Sequence, residues 1–320
     1  MKFDIIYYLM KIPLVSIGLP TYNRAKDLEV CLANVTNLKY RNIEVIISDN
    51  NSSDNTKNIC NTFCQKDKRI RYYRQKINIG VHKNSNFVLA KAKGKYFFWA
   101  SDDDLRDGQY LSKLVPLLEK NPQATLAITD TKLFTKGHSA QIPIFFKSNS
   151  HPPIQLLTYL LHPECVSVLL YGLHRLDKKF VQQHNEIIQE KRFFNIKGYD
   201  NSFAVYVLLR GDLIYLPQNL FSIRDNGMYL SVYHDISKLK LSKLFFRRVQ
   251  CYALFPIMFF YDWLYGTLHV FKSSFSISLK LVFTLCIFLK FIFDLILYTY
   301  SIIKGILVLF LGLIKKIIHF

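Results

Sequence analysis

The strongest constraint on the fold is an alternation that runs from residue 14 to about residue 230. Short β-branched and apolar runs take turns with stretches of helical periodicity. LVSIGLP (14–20) reads as a strand ending at Pro20, and a helix is expected from Lys26 to about Asn37. IEVIISD (43–49) carries apolar residues on both faces, as strands buried inside a parallel sheet do. NNSSDNT then provides loop and capping residues, with Ser53 or Asp54 as N-cap of a helix to about Lys66. RIRYYR (69–74) is a more polar strand, expected nearer an edge. A helix over about 85–92 leads through Gly94 into the strand KYFFWAS (95–101). A β-α-β-α-β-α-β series of this kind predicts an α/β fold: a doubly wound, mostly parallel, Rossmann-like sheet with right-handed crossovers.

The text changes near residue 240. Beyond it, segments such as CYALFPIMFFYDWLYG, FIFDLILYTYSII and GILVLFLGLI follow one another with single charges between them. Nine basic residues stand there against Asp262 and Asp294, a net charge of +7. The expected division is an α/β domain over 1–240 and a hydrophobic, basic, helical, membrane-associated tail over 241–320. No charge-free run reaches the ~18 residues of a confident spanning helix, although 295–314 is interrupted only by Lys304. The tail therefore either spans the bilayer with one or two helices or lies in its interface, with Lys280, Lys290 and Lys304 snorkelling. A helical bundle or dimer interface in water is the bland alternative.

The whole chain has a formal net charge of +19, which suits nucleic acid, anionic lipid or a phosphorylated substrate. Nucleic acid is set aside, because alternation within a strand explains the Arg and Tyr of RIRYYRQK more simply than base stacking does. The six cysteines (Cys31, Cys60, Cys64, Cys165, Cys251, Cys286) form no zinc-like double pair. The apolar run 5–10, flanked by Asp4 and Lys11, is too short for a secretory signal. Reduced cytoplasmic thiols are expected.

In a doubly wound sheet, ligands bind outside the carboxyl ends of the strands. Three expected strand ends carry polar groups suited to one ligand. After the first come Pro20, Thr21, Tyr22, Asn23 and Arg24; after the second, Asp49, Asn50 and Asn51; after the fourth, Asp102, Asp103 and Asp104. Tyr22 offers a face for stacking a base, and Asp49 or Asn50 can bond base edges or ribose hydroxyls. A carboxylate cluster with no local His or Cys suggests a hard divalent cation, Mn²⁺ or Mg²⁺. The bland readings are a helix cap for Asp54, and a solvated turn with a cap for the helix starting near Gly108 for the three aspartates.

PLVSIGLPTYNR, IEVIISDNNSSDNT, NIGVHKNSN (78–86) and GKYFFWASDDDL, in this order, resemble the family 2 glycosyltransferases of GT-A fold over roughly residues 13–230. The resemblance implies an inverting transferase that moves a sugar from a nucleotide-diphosphate donor to a hydroxyl acceptor. It implies that Tyr22 stacks on the base, that Asp49 and Asn50 contact base and ribose, and that Asn78, Gly80 and Asn86 belong to the donor site. The family more often has an acidic residue where Asn50 stands. In the family's Asp-x-Asp register Ser101 takes the first acidic slot. Asp103 is then the metal ligand, with Asp102 on the ribose or the metal, while Asp104 faces the acceptor side or caps the next helix. NIKGYDNSFAVYVLLRGDLIYLP (195–217) implies Asp200 as the catalytic base, for which a helix cap is the bland reading. SIRDNGMYLS (222–231) resembles the closing loop, with Arg224 reaching the diphosphate.

With the tail, these parts imply a lipid-linked or saccharide acceptor, an anionic membrane surface and the cytoplasmic face of the cell membrane. Two alternatives stand beside this reading. A nucleotidyltransferase also uses an α/β sheet and carboxylate-bound Mg²⁺, but a Gly-rich basic loop is expected where this chain has PTYNRAKD. A non-catalytic GT-A-fold binding protein is the other, kept by Ser101 and Asn50.

Overall fold

The computed structural model describes residues 12–135, 138–142, 144–148, 150–161, 166–190, 199–224 and a few helical positions between 276 and 292. By compactness the chain divides into two units: residues 1–195 with 207–226, and residues 196–206 with 227–320. The expected domain boundary at 240 and nearly all of the apolar tail lie outside the described residues. Among those described, no helix is long and apolar enough to cross a membrane.

The first unit is built on one sheet. Its first half follows the sequence pattern closely. Strands β1 (Val15–Thr21), β2 (Ile43–Asp49), β3 (Ile70–Arg74) and β4 (Tyr96–Trp99) pair in parallel in the order β3-β2-β1-β4. Helices α1 (Ala25–Thr36), α2 (Thr56–Lys66) and α3 (Val81–Ala90) make the crossovers. β2 is buried along its whole length, which its run of Ile and Val permits, and the more polar β3 lies at the edge. α1 turns Leu28, Cys31, Leu32 and Val35 inward, the i, i+3, i+4, i+7 stripe of an amphipathic helix. Packing is close at Gly18 of β1. A Cβ there would lie 2.6 Å from Phe97 Cζ and 2.7 Å from Val88 Cγ2.

Glu44 is the polar exception inside β2. Its carboxylate accepts hydrogen bonds from Ser16 Oγ (2.5 Å) and the Lys93 amide (2.7 Å) and pairs with Arg71. Those partners make its burial tolerable.

The second half departs from a mostly parallel sheet. β5 (Leu105–Arg106) precedes α4 (Tyr110–Lys120), β6 (Ala124–Thr135) and β7 (His138–Ile142). Then come α5 (Pro152–Leu161), α6 (Val166–Leu170), β8 (Leu173–Arg175), α7 (Lys178–Glu190), α8 (Tyr199–Leu209) and β9 (Asp212–Arg224). The short β8 inserts between β4 and β6, antiparallel to both. β9 runs parallel to β6, and β5 and β7 are antiparallel additions. The sheet is therefore mixed. A three-residue strand carries too few positions for a periodic signal, so its inversion is invisible in the sequence.

Candidate active site

The register of the sheet brings the three strand ends together. Thr21 lies opposite Asp49 across β1 and β2, and Gly18 opposite Trp99 across β1 and β4. Three residues beyond the latter pair, Thr21 meets Asp102: its hydroxyl donates to Asp102 Oδ2 at 2.8 Å. Strand ends separated by 81 residues are thus joined by one buried hydrogen bond.

The β1 loop is pinned to the β2 loop. Asn23 adopts φ +52° and Asn51 φ +66°, left-handed conformations that Asn tolerates better than most residues. The Asn23 amide donates to Ser52 Oγ (2.9 Å), and its Oδ1 accepts from the Ser53 amide (2.8 Å). Asp54 accepts from the Ala25 amide (2.9 Å), the Thr56 amide (3.1 Å) and Thr56 Oγ1 (2.6 Å). Asp54 thus serves the first turns of α1 and α2 together, while the N-cap position of α2 is Asn55. This leaves Tyr22 with 46% of its surface exposed, an aromatic face open at the sheet edge.

At the end of β2, Asp49 is fully buried. Its Oδ1 accepts from the Ser52 amide (2.7 Å), and its Oδ2 accepts from Tyr72 Oη (2.8 Å) and lies 3.8 Å from Arg74 Nη1. The Asn50 side chain donates to Asn78 Oδ1 (2.8 Å) and accepts from the Ile79 amide (2.8 Å); Asn78 Oδ1 also accepts from the Gly80 amide (2.9 Å). Gly80 opens α3 at φ +85°, where a side chain would be strained. Asn50, Asn78 and Gly80 therefore form one bonded set beside the β1 loop. Asn86 does not join it. Its amide faces α7, bonding Asn185 and the His184 ring. The buried partner of β2 is instead Asn84, which accepts from Ser48 Oγ (2.6 Å) and donates to the Ser48 carbonyl (2.9 Å).

The acidic turn holds three non-equivalent carboxylates. Asp103 Oδ1 accepts from Ser101 Oγ (2.6 Å), and its Oδ2 from Arg24 Nη1 (3.2 Å). Asp102 is nearly buried, and burial, with the adjacent Asp103 charge, pushes its carboxyl up to about 6; Thr21 and Arg24 oppose the shift. Asp104 is buried and accepts from the Arg224 amide (3.2 Å). Burial raises its carboxyl to about 7, against the pull of Arg106. Asp104 thus neither opens toward solvent nor caps α4, where Asp107 accepts the Gln109 amide (2.8 Å). The turn instead ties β4 to the end of β9.

Two guanidiniums complete the cluster. Arg24 Nη1 also contacts Asp27 Oδ2 (3.4 Å), its Nε lies 3.9 Å from Asp102 Oδ1, and Arg224 pairs with Asp27 Oδ1. Asp27, Tyr72, Arg74 and Asn84 were not singled out from the sequence. Asp27 could have been found three residues after Arg24 on one helix, and Tyr72 and Arg74 by their i, i+2 spacing on β3. Asp200 lies in the second unit, exposed in the first turn of α8. That is the location its bland reading as a cap also implies.

Among the described residues, no three His, Cys, Asp or Glu side chains form a metal cluster by themselves. Asp102 and Asp103 nonetheless fit a hard dication. They offer adjacent oxygen ligands at one strand end, the type a hard cation prefers. Mg²⁺-type sites commonly use one or two carboxylates and complete their shell with substrate phosphates and water.

Strand order 3-2-1-4, a polar edge at three parallel strand ends and an acidic turn after β4 define an α/β domain of the GT-A type. In S. aureus TarS 1–349 in complex with UDP a similar fold recurs, at TM-score 0.60 and 15% identity, over 84% of this chain and 69% of that one. Residues 16–159 match the profile described as Glycosyl transferase family 2. An uncharacterized glycosyltransferase of Haemophilus influenzae is 26% identical over 259 residues, 80% of this chain and 97% of the relative. The GalNAc(5)-diNAcBac-PP-undecaprenol beta-1,3-glucosyltransferase of Campylobacter jejuni is 36% identical over 93 residues, 29% of this chain and 30% of the relative. Over residues 16–159 the chain is thus similar to the family 2 glycosyltransferases, and the relatives named glycosyltransferases support an enzyme that transfers glycosyl groups. The nucleotidyltransferase and non-catalytic readings give way to this one.

Proposed function

We propose that the chain transfers a sugar from a nucleotide-diphosphate donor to a hydroxyl acceptor with inversion, assisted by Mn²⁺ or Mg²⁺. The observation that carries the reading is the convergence of the β1, β2 and β4 ends. It sets an exposed aromatic, a bonded Asn50–Asn78–Gly80 loop and the Asp102–Asp103 pair along one sheet edge. Tyr22 stacks on the base. Asn50 and Asp49 shape the base and ribose side, Asp49 by holding Tyr72 and the loop amide. Asp102 and Asp103 hold the cation, which when bound neutralises charge developing on the departing nucleoside diphosphate. Arg24 and Arg224 supply guanidiniums to the diphosphate. Asp200 takes the acceptor's proton, a contribution typically of ~10²–10⁴-fold in rate.

A lipid-linked or saccharide acceptor at the cytoplasmic membrane face is supported by the apolar, basic tail and by the undecaprenol-linked substrate in the Campylobacter relative's name. UDP in the TarS complex makes uridine donors the first to test. Thermal-shift screening of UDP- and GDP-sugars with and without Mn²⁺, on wild type and Asp103→Asn, tests the reading. A donor is expected to stabilise the wild type in a metal-dependent way, and the variant should lose that response. Unchanged turnover in Asp103→Asn sinks the metal assignment.

A further inference from the structure

Arg24 stands among carboxylates. Three carboxylates, Asp27, Asp102 and Asp103, meet two guanidiniums, Arg24 and Arg224, within one contact network. Both guanidiniums are engaged by carboxylates through Nη1, so that donor of Arg24 reaches an anionic diphosphate only by exchange. Arg24 lies against the same two carboxylates that fit a dication, at 3.2 Å from Asp103 and 3.9 Å from Asp102. Half of its alternative partnership is in place, because Asp27, in the first turn of α1, shares its Nη1 at 3.4 Å.

We propose that Arg24 is the resident counter-cation of the acidic turn, displaced from Asp103 when a divalent cation enters and handed over to the donor's diphosphate. The proposal rests on the metal and diphosphate reading above and adds an order to it. Before the cation enters, the two guanidiniums contact the carboxylates. Afterwards two positive charges have been added beside Arg24, which is released next to Asp27. Cation and diphosphate then bind with positive coupling, each raising the affinity for the other by the same factor. Arg24 is the element that couples them, because a cation on Asp103 frees the Nη1 that Asp103 now shares, and that N–H can then bond a phosphate oxygen. The ion pairs it leaves are partly exposed, so each opposes the cation only modestly.

The test is calorimetric titration of the full chain with Mn²⁺ alone, then with Mn²⁺ in the presence of saturating UDP or GDP. Arg24→Gln removes the competing charge and is expected to bind Mn²⁺ alone about tenfold more tightly than wild type. Arg24→Lys keeps the charge and should stay close to wild type, which separates competition from a packing change. A nucleoside diphosphate should strengthen Mn²⁺ binding more in wild type than in Arg24→Gln. Equal or weaker Mn²⁺ binding by Arg24→Gln overturns the displacement. Absence of any gain from UDP or GDP in wild type overturns the hand-over. If Asp103→Asn retains wild-type Mn²⁺ affinity, the metal reading itself has failed, a result distinct from both.

Discussion

Asn23 offers the sharpest test of how the donor edge is held. It stands between Tyr22 and Arg24 at φ +52°. Its amide bonds Ser52 Oγ at 2.9 Å, and its Oδ1 accepts from the Ser53 amide at 2.8 Å and Ser53 Oγ at 3.3 Å. Replacement by alanine removes the side-chain bonds and leaves a Cβ in left-handed backbone. The left-handed conformation costs about 1 kcal/mol or slightly more for alanine. Exposed hydrogen bonds of this kind contribute about 0.5–1 kcal/mol. Asn23→Ala should therefore destabilise the domain by about 2 kcal/mol. Asn23→Gly escapes the conformational cost and should lose only about 1 kcal/mol. Urea unfolding followed by tryptophan fluorescence measures both, and nucleotide titration of the same proteins reads the consequence for Tyr22 and Arg24. Donor affinity should fall in the same order, alanine below glycine below wild type. If glycine costs as much as alanine, the left-handed turn is not what this asparagine answers. If alanine changes neither stability nor affinity, the loop is not held by this tether.

The remaining predictions concern packing, protons and the tail. Gly18→Ala should destabilise by about 1–3 kcal/mol, because its Cβ would meet the buried Phe97 ring at 2.6 Å; thermal unfolding reads the loss, and adding Phe97→Leu should recover part of it. His174 and His184 are held neutral by burial, each lowered to about 3 from 6.5. Their contribution is complete above pH 6.5 and is lost as pH falls, because the unfolded chain then binds protons the native one refuses. The loss approaches about 1.4 kcal/mol per histidine per pH unit. Asp102 and Asp104, raised to about 6 and about 7, act in the opposite direction. The difference between wild type and His184→Phe therefore isolates the effect: the variant's stability should gain on wild type's between pH 6.5 and 5, and a constant difference refutes it. The full chain should sediment with membranes and a chain ending at residue 240 should stay in the supernatant; a full chain left in the supernatant defeats the membrane assignment.

Much of the donor edge was legible in the sequence, for a physical reason. Parallel strands buried on both faces write continuous apolar runs, and helices between them write a 3.6-residue stripe. LVSIGLP, IEVIISD and KYFFWAS therefore announced β1, β2 and β4, and with them the strand ends where Thr21, Asp49 and Asp102 stand. Asn86 and Asp104 show the limit. Both occupy positions the linear pattern offers to the site, yet one bonds α7 and the other the amide of Arg224, 120 residues away.

What the sequence determined by itself is the parallel four-stranded core, the residue types at its polar edge and the family they resemble. Local periodicity and strand-end chemistry are properties of short segments, so they survive in one dimension. The tertiary structure alone decided the inverted β8, the pairing of Asp27 with both guanidiniums and the unequal surroundings of three adjacent aspartates. Those depend on register and burial. A carboxylate's partner and hydration are set by whatever the fold brings within about 3 Å, and no neighbour in sequence records it.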